Sequence, residues 1–325
     1  MKLTEPCRFV ALSAMLCFGN AGAQPYPAKP VRIVVPYAPG GGVDIMARTA
    51  ARKYGERMGA QFIVDNRAGG GTVIGTEIVA RAPADGHTLL FANPGLTSSA
   101  ALNPKLPFDP VQSFAPVGLF ASSFNVLIVH PSVPARSLKS LIALAKARPR
   151  ELNYASAGNG SATHLVMELF QRTTGIELVH IPYKGAGPAL SDVLGGQVTI
   201  KFSTTPSILE HLRNSRLRAL AVSSAKRLNV LPQVPTIAES GYPGFEVTNW
   251  YGIVAPAHTP VEIVGRLNGE MNAMLDAGEV KERIIALGNE PTGGTPGQFA
   301  ERIRKEVVQW QTLFAGLKAK SRNGL

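Results

Sequence analysis

Val31-Arg32-Ile33-Val34-Val35-Pro36-Tyr37-Ala38-Pro39-Gly40-Gly41-Gly42-Val43-Asp44 joins a β-branched run, a proline and glycine turn, and the start of a helical period. Residues 31–35 read as a strand. Apolar side chains at helical spacing then run from Val43 to Met58 and stop at Gly59, a residue suited to closing a helix. A strand that passes through a tight turn into a helix is the opening of a strand–helix–strand unit, in which helices cover a sheet of parallel strands.

The unit recurs along the chain. Residues 61–65, 87–92 and 125–129 read as strands, and a helix over 137–147 ends near Pro149. A strand at 152–155 leads to Ala162, Leu165, Val166, Leu169 and Phe170, whose spacing places one apolar stripe on a helix that closes near Gly175. Further strands are expected at 177–181, 198–202 and 217–222, with Gly195-Gly196 ending the helix between the first two. After a proline-rich stretch, 231–243, residues 250–254 give one more strand, and the rest is helical. The fold class is α/β, with parallel-rich sheets flanked by helices. The helical tail needs a sheet to cover. Packing it on the first sheet predicts a discontinuous first lobe, 24–123 with 250–325, and a second lobe, 124–249. Two crossings, near Ser123 and Asn249, would then form a hinge, a common device for enclosing a ligand.

Lys2 and Arg8, an apolar run over 9–18, and Ala21-Gly22-Ala23 have the layout of an export signal, with cleavage expected after Ala23 and a periplasmic destination. The apolar run is half the length of a bilayer span, so the mature protein is expected to be soluble. Leu16 before Cys17 argues against a lipid anchor. Cys7 and Cys17 are the two cysteines, both in this segment, which excludes disulfides and cysteine-bound metals from the mature chain. Losing Lys2, Arg8 and Glu5 takes the formal charge from +11 to +10. The basic residues are scattered singly, which fits solvated faces and anion steering better than a nucleic-acid surface. The six histidines show no metal-ligand spacing, and no cofactor is expected.

The glycines at 40–42 let backbone approach a ligand and leave free N–H groups at a helix start, where an anion is favoured; they equally fit a tight turn capped by Asp44. A second cluster, Asn66-Arg67-Ala68-Gly69-Gly70-Gly71-Thr72-Val73-Ile74-Gly75, fails as a phosphate loop because Thr76-Glu77 stand where Lys and Ser/Thr are needed. It reads as a close-packed turn. Ser156-Ala157-Gly158-Asn159-Gly160-Ser161-Ala162-Thr163-His164 offers hydroxyls, an amide and backbone donors at another helix start. Ser161 with His164 as base would make a hydrolase, but Asn159 and Thr163 replace the glycines of a nucleophile elbow. His164 also reads as a structural histidine.

These segments, with residues 26–32, 106–110, 181–190, 217–222 and 249–252, resemble in order the tripartite tricarboxylate transporter substrate-binding proteins, the Bug or TctC-like family. The resemblance implies a two-lobed periplasmic-binding-protein fold of type II, a small carboxylate held between lobes, no catalysis, and membrane transporter subunits in other chains as partners. A receptor that signals instead of transporting is the alternative partner, and the chain is expected to be monomeric. Carried onto this sequence, the site comprises Tyr37, Gly41, Gly42, Asp44, Thr97 and Ser98 from the first lobe, and Asn159, Ser161, Thr163 and His164 from the second. Ser203 stands where relatives usually carry Asp, expected to face the cleft, and Ser113 where they often do. Ser203 therefore predicts a ligand without a cationic amine.

Overall fold

The computed structural model describes residues 26–322, apart from residues 104 and 277. The expected export segment, 1–23, lies outside the described residues. The first unit is β1 (Val31–Val35), α1 (Gly42–Met58), β2 (Phe62–Asn66), α2 (Val73–Ala80), β3 (Thr88–Ala92) and α3 (Gly95–Leu102). Gly59 closes α1 with φ 63°, and its N–H reaches the Gly55 carbonyl. That left-handed conformation carries no Cβ penalty in glycine. β2 and β3 both pair with β1 in parallel.

The strand expected at 125–129 is the last third of a much longer one, β4 (Phe114–Val129). Its first part carries Pro116, and the register with its neighbour shifts between Pro116 and Gly118 and between Leu119 and Ala121. These irregularities break the period-2 pattern from which a strand is read. Beyond β4 follow α4 (Leu138–Ala147), β5 (Asn153–Ser156), α5 (Ala162–Thr174), β6 (Val179–Pro182), α6 (Ala186–Leu194), β7 (Ile200–Thr204), α7 (Leu209–Arg213) and β8 (Arg218–Val222). The chain finishes with β9 (Thr248–Pro256), α8 (Val261–Asp276), α9 (Gly278–Ala286), β10 (Glu290–Gly293) and α10 (Pro296–Arg322). β10 interrupts the helical tail and had no signature in the sequence.

β4 belongs to two sheets. Its first part lies between β9 and β10, and residues 125–129 lie between β7 and β8. The strand order is β2-β1-β3-β9-β4 in the first lobe and β4-β7-β5-β6 in the second. The outer strands are parallel, whereas every pairing made by β4 is antiparallel, so the sheets are mixed. On one face of the first sheet, Ile33, Phe91 and Tyr251 pack with Met46 and Tyr54 of α1 and Leu267 and Met271 of α8. On the other face, Val34, Leu90 and Trp250 meet Phe299 and Ile303 of α10. The helical tail thus returns to the first sheet. Among the described residues no helix is long and apolar enough to cross a membrane.

Candidate functional site

The turns that follow the parallel strands of both lobes converge on a small cavity of about 30 Å³. The first lobe supplies Tyr37, Gly41, Gly42, Val43, Asp44 and Asn93; the second supplies Ala157, Ser161, Ala162, Thr163, Ala186 and Thr204; Asn249 lies at the crossing between them. Ordered water needs roughly 10–15 Å³ by this measure, so the cavity has the size of a carboxylate head. On the outer side of Tyr37 and Ala157, which wall both, a wider chamber of about 420 Å³ is lined by residues 69–73, Asn159, Tyr183 and Lys184.

Three helices point their N-termini at the inner cavity: α1 through Gly41–Val43, α5 through Ser161–Thr163, and α6 through Ala186. Unpaired N–H groups and the helix dipole favour an anion at each. Among the described residues no lysine, arginine or histidine lines this space, and Asp44 is its one carboxylate. Asp44 is fully committed. Its Oδ2 accepts from Gly40 N at 3.1 Å and Arg48 Nε at 3.1 Å, and its Oδ1 accepts from Asn66 Nδ2 at 2.9 Å. Burial pushes the carboxyl up, but bonds from Arg48, Asn66 and the Gly40 backbone together hold it below its ordinary value. Burial keeps the Tyr37 phenol protonated, and it donates to Asn93 Oδ1 at 3.1 Å.

The lobes touch around the cavity. Ala38 N donates to the Lys184 carbonyl at 3.1 Å, and Ser98 Oγ to the Gly160 carbonyl at 2.8 Å. Glycines permit this approach: a Cβ on Gly42 would overlap the Thr204 hydroxyl, and one on Gly187 the Pro39 carbonyl oxygen.

Of the residues expected at the site, Tyr37, Gly41, Gly42, Asp44, Ser161 and Thr163 share the cavity wall. Five do not. Thr97 Oγ1 lies 3.0 Å from the Pro94 carbonyl and 3.1 Å from Glu306, turned toward α10. Ser98 serves the contact between lobes, and Asn159 reaches only the outer chamber. His164 turns its Nδ1 back to accept from Gly160 N at 3.1 Å. Ser203 corrects the expectation most directly. Side chains alternate along a strand, and it is Thr204 that lines the cavity, while Ser203 Oγ sits 3.2 Å from Ser207 Oγ. Sequence reasoning missed Asn93, Thr204 and Asn249; all three sit at strand ends, where ligands gather in α/β sheets. Ser113 stays in its own turn, with its hydroxyl accepting from Asp109 N.

The hydrolase arrangement does not form. Ser161 caps α5, its hydroxyl accepting from His164 N, and no His164 ring nitrogen bonds it. His164 instead stacks on His180 at 4.3 Å, and His180 stacks on Tyr154 at 4.8 Å. Burial, with His164 adding to it, pushes His180 down to about 4, while its Nε2 meets Ser156 Oγ at 2.6 Å. This stack braces the turn from beneath. Replacing Ser161 with alanine is expected to cost about 1 kcal/mol of stability through the lost cap, measured by urea denaturation; an unchanged midpoint would show that the cap does not hold the turn.

The model for the tripartite tricarboxylate transporter family receptor matches residues 46–318. The chain belongs to this receptor family. BugT of Bordetella pertussis is 41% identical over 300 residues, which cover 92% of each chain. The solved structure of the periplasmic binding protein BugD superposes with a TM-score of 0.87 at 35% identity, over 90% of this chain and 98% of that one. The R. palustris protein Rpa4515, solved with adipate, gives 0.87 at 37% identity over 90% and 98%. The receptor therefore has the two-lobed α/β fold of periplasmic binding proteins.

Proposed function

We propose that this receptor is a periplasmic solute-binding protein that captures a small carboxylate by closing lobe 26–123 with 250–322 onto lobe 124–249, and hands it to membrane subunits of a tripartite transporter. The observation that carries this reading is the convergence of three helix N-termini from both lobes on one cavity without a basic side chain. One carboxylate sits there, held by backbone donors, and the rest of the molecule extends past Tyr37 and Ala157 into the outer chamber, where Lys184 meets a second anionic end. Adipate in Rpa4515 is a ligand of this shape. Binding without turnover is part of this reading, and the engagement of the Ser161 hydroxyl as the α5 cap fits it.

The absence of an amine on the ligand rests on Asp44 rather than on Ser203, because both Asp44 oxygens are already occupied by donors. A ligand that binds only the folded state raises the melting temperature. In thermal shift and calorimetry, adipate and succinate are expected to stabilise the protein and aspartate to leave it unchanged. A response to aspartate alone would overturn the assignment.

A further inference from the structure

In the second lobe the strands run β6-β5-β7-β4-β8, so β8 is an edge strand. The opposite edge, β6, ends in Pro182, which cannot donate to an added strand, whereas Arg218-Ala219-Leu220-Ala221-Val222 of β8 contains no proline. Val222 is satisfied on the outer side: its N–H donates to the Pro235 carbonyl at 2.9 Å, and its carbonyl accepts from Ile237 N at 3.0 Å. Past that single bridge the two segments diverge, and among the described residues no backbone group of residues 218–221 bonds outside the pairing with β4. Leu220 has no partner in β4 either, because the register shifts there and leaves it as the extra residue of a bulge.

The fork between β8 and residues 231–235 opens into a groove of about 710 Å³, lined in part by Leu212, Leu217 and Leu231. Arg136 and Lys139 also line it, both exposed and, among the described residues, without a carboxylate in ion-pair reach. Glu239, the one acid of the groove, is held by Arg227 Nε at 2.9 Å. Arg218 does not guard the edge, since its Nη1 is engaged by the carbonyls of Val133 at 3.2 Å and Ala135 at 3.0 Å. α4 starts at the same rim, and the positive end of its dipole adds to the field.

We propose that the outer edge of β8 docks an extended segment of a partner protein, alternating apolar and acidic residues, which joins the sheet as one more strand. Backbone pairing along an open edge supplies affinity, and the side-chain surroundings supply selectivity. The two-residue period of a strand sends one set of side chains to the leucines and the other toward Arg136 and Lys139. Edges without a partner are normally blunted by proline or covered by a loop; residues 218–221 have neither. The groove shares no lining residue with the ligand cavity.

The test uses the mature receptor and a fluorescein-labelled seven-residue peptide that alternates valine with aspartate or glutamate. Anisotropy at low salt is expected to show saturable binding, and hydrogen exchange to slow at the amides of residues 218–221. Arg136→Glu combined with Lys139→Glu should weaken binding about tenfold and leave the melting temperature unchanged. The same peptide methylated on alternate backbone nitrogens keeps its charge but cannot form the ladder, and it should not bind. Absence of saturable binding overturns the proposal. So does binding that survives methylation or leaves exchange at residues 218–221 unaltered, which would mean charge capture on a basic surface instead of strand addition.

Discussion

Gly187→Ala is expected to abolish tight carboxylate binding while leaving the unliganded receptor at least as stable. Gly187 is the second residue of α6, where alanine is a better helix former than glycine by up to about 1 kcal/mol. Within its own lobe the added methyl is harmless. Across the cleft it would overlap the Pro39 carbonyl oxygen and press on Gly40 Cα, both in the β1–α1 turn of the other lobe. That neighbour is backbone and cannot swing aside. Overpacking of this kind costs about 1–3 kcal/mol, here charged only against the closed state, so adipate affinity should fall by up to about a hundredfold. Thermal melts with and without adipate separate the two effects: the unliganded midpoint holds or rises, and the ligand-induced shift disappears. Binding within twofold of the parent would show that the two turns need not meet.

Lys201→Met is expected to stabilise the protein strongly below neutral pH and hardly at all near pH 11. Lys201 on β7 is fully buried, and among the described residues its Nζ has one bond, to the Phe202 carbonyl at 2.9 Å, and no carboxylate in ion-pair reach. Burial pushes its ammonium down to about 7 from 10.5. Below pH 7 the lysine is protonated in both states, and the folded protein bears the whole cost of a buried charge. Between pH 7 and 10.5 the unfolded chain holds a proton that the folded chain does not, so stability rises with pH. Above 10.5 both are neutral and the cost is gone. At 1.36 kcal/mol for each pH unit the full difference is about 5 kcal/mol. Urea denaturation of both proteins at pH 6 and pH 11 isolates this group, because every other titration is shared. A gap between them that does not change with pH would mean that Lys201 stays charged in the fold.

Much of the architecture was legible locally. β1, the Gly59 end of α1, the Gly175 end of α5 and the Ser137 start of α4 follow from residue period and capping chemistry, which act within a few residues. The alternation of strands and helices likewise gave the α/β class, and the order of the segments gave the family. β4 before residue 125 was hidden because Pro116 and two register shifts interrupt its alternation, and β10 because Glu290–Gly293 is only four residues long and includes Pro291 and Gly293, which argue against a strand.

The composition of the candidate cavity was legible only in part. The sequence placed glycine turns and a serine cap at helix starts, and those conformations need nothing beyond the local chain. It put Ser203 rather than Thr204 toward the cleft, and adjacent strand residues face opposite ways, so register against β4 decides which one meets Gly42. Nor could it bring Asn93 and Asn249 to the same wall, or bury Lys201 away from any carboxylate. Local chemistry determines where a strand stops and a helix begins; which side chains share a cavity is decided by pairing between residues far apart in the chain, such as Asn125 with Thr204 and Leu90 with Val254, and only the folded sheets express it.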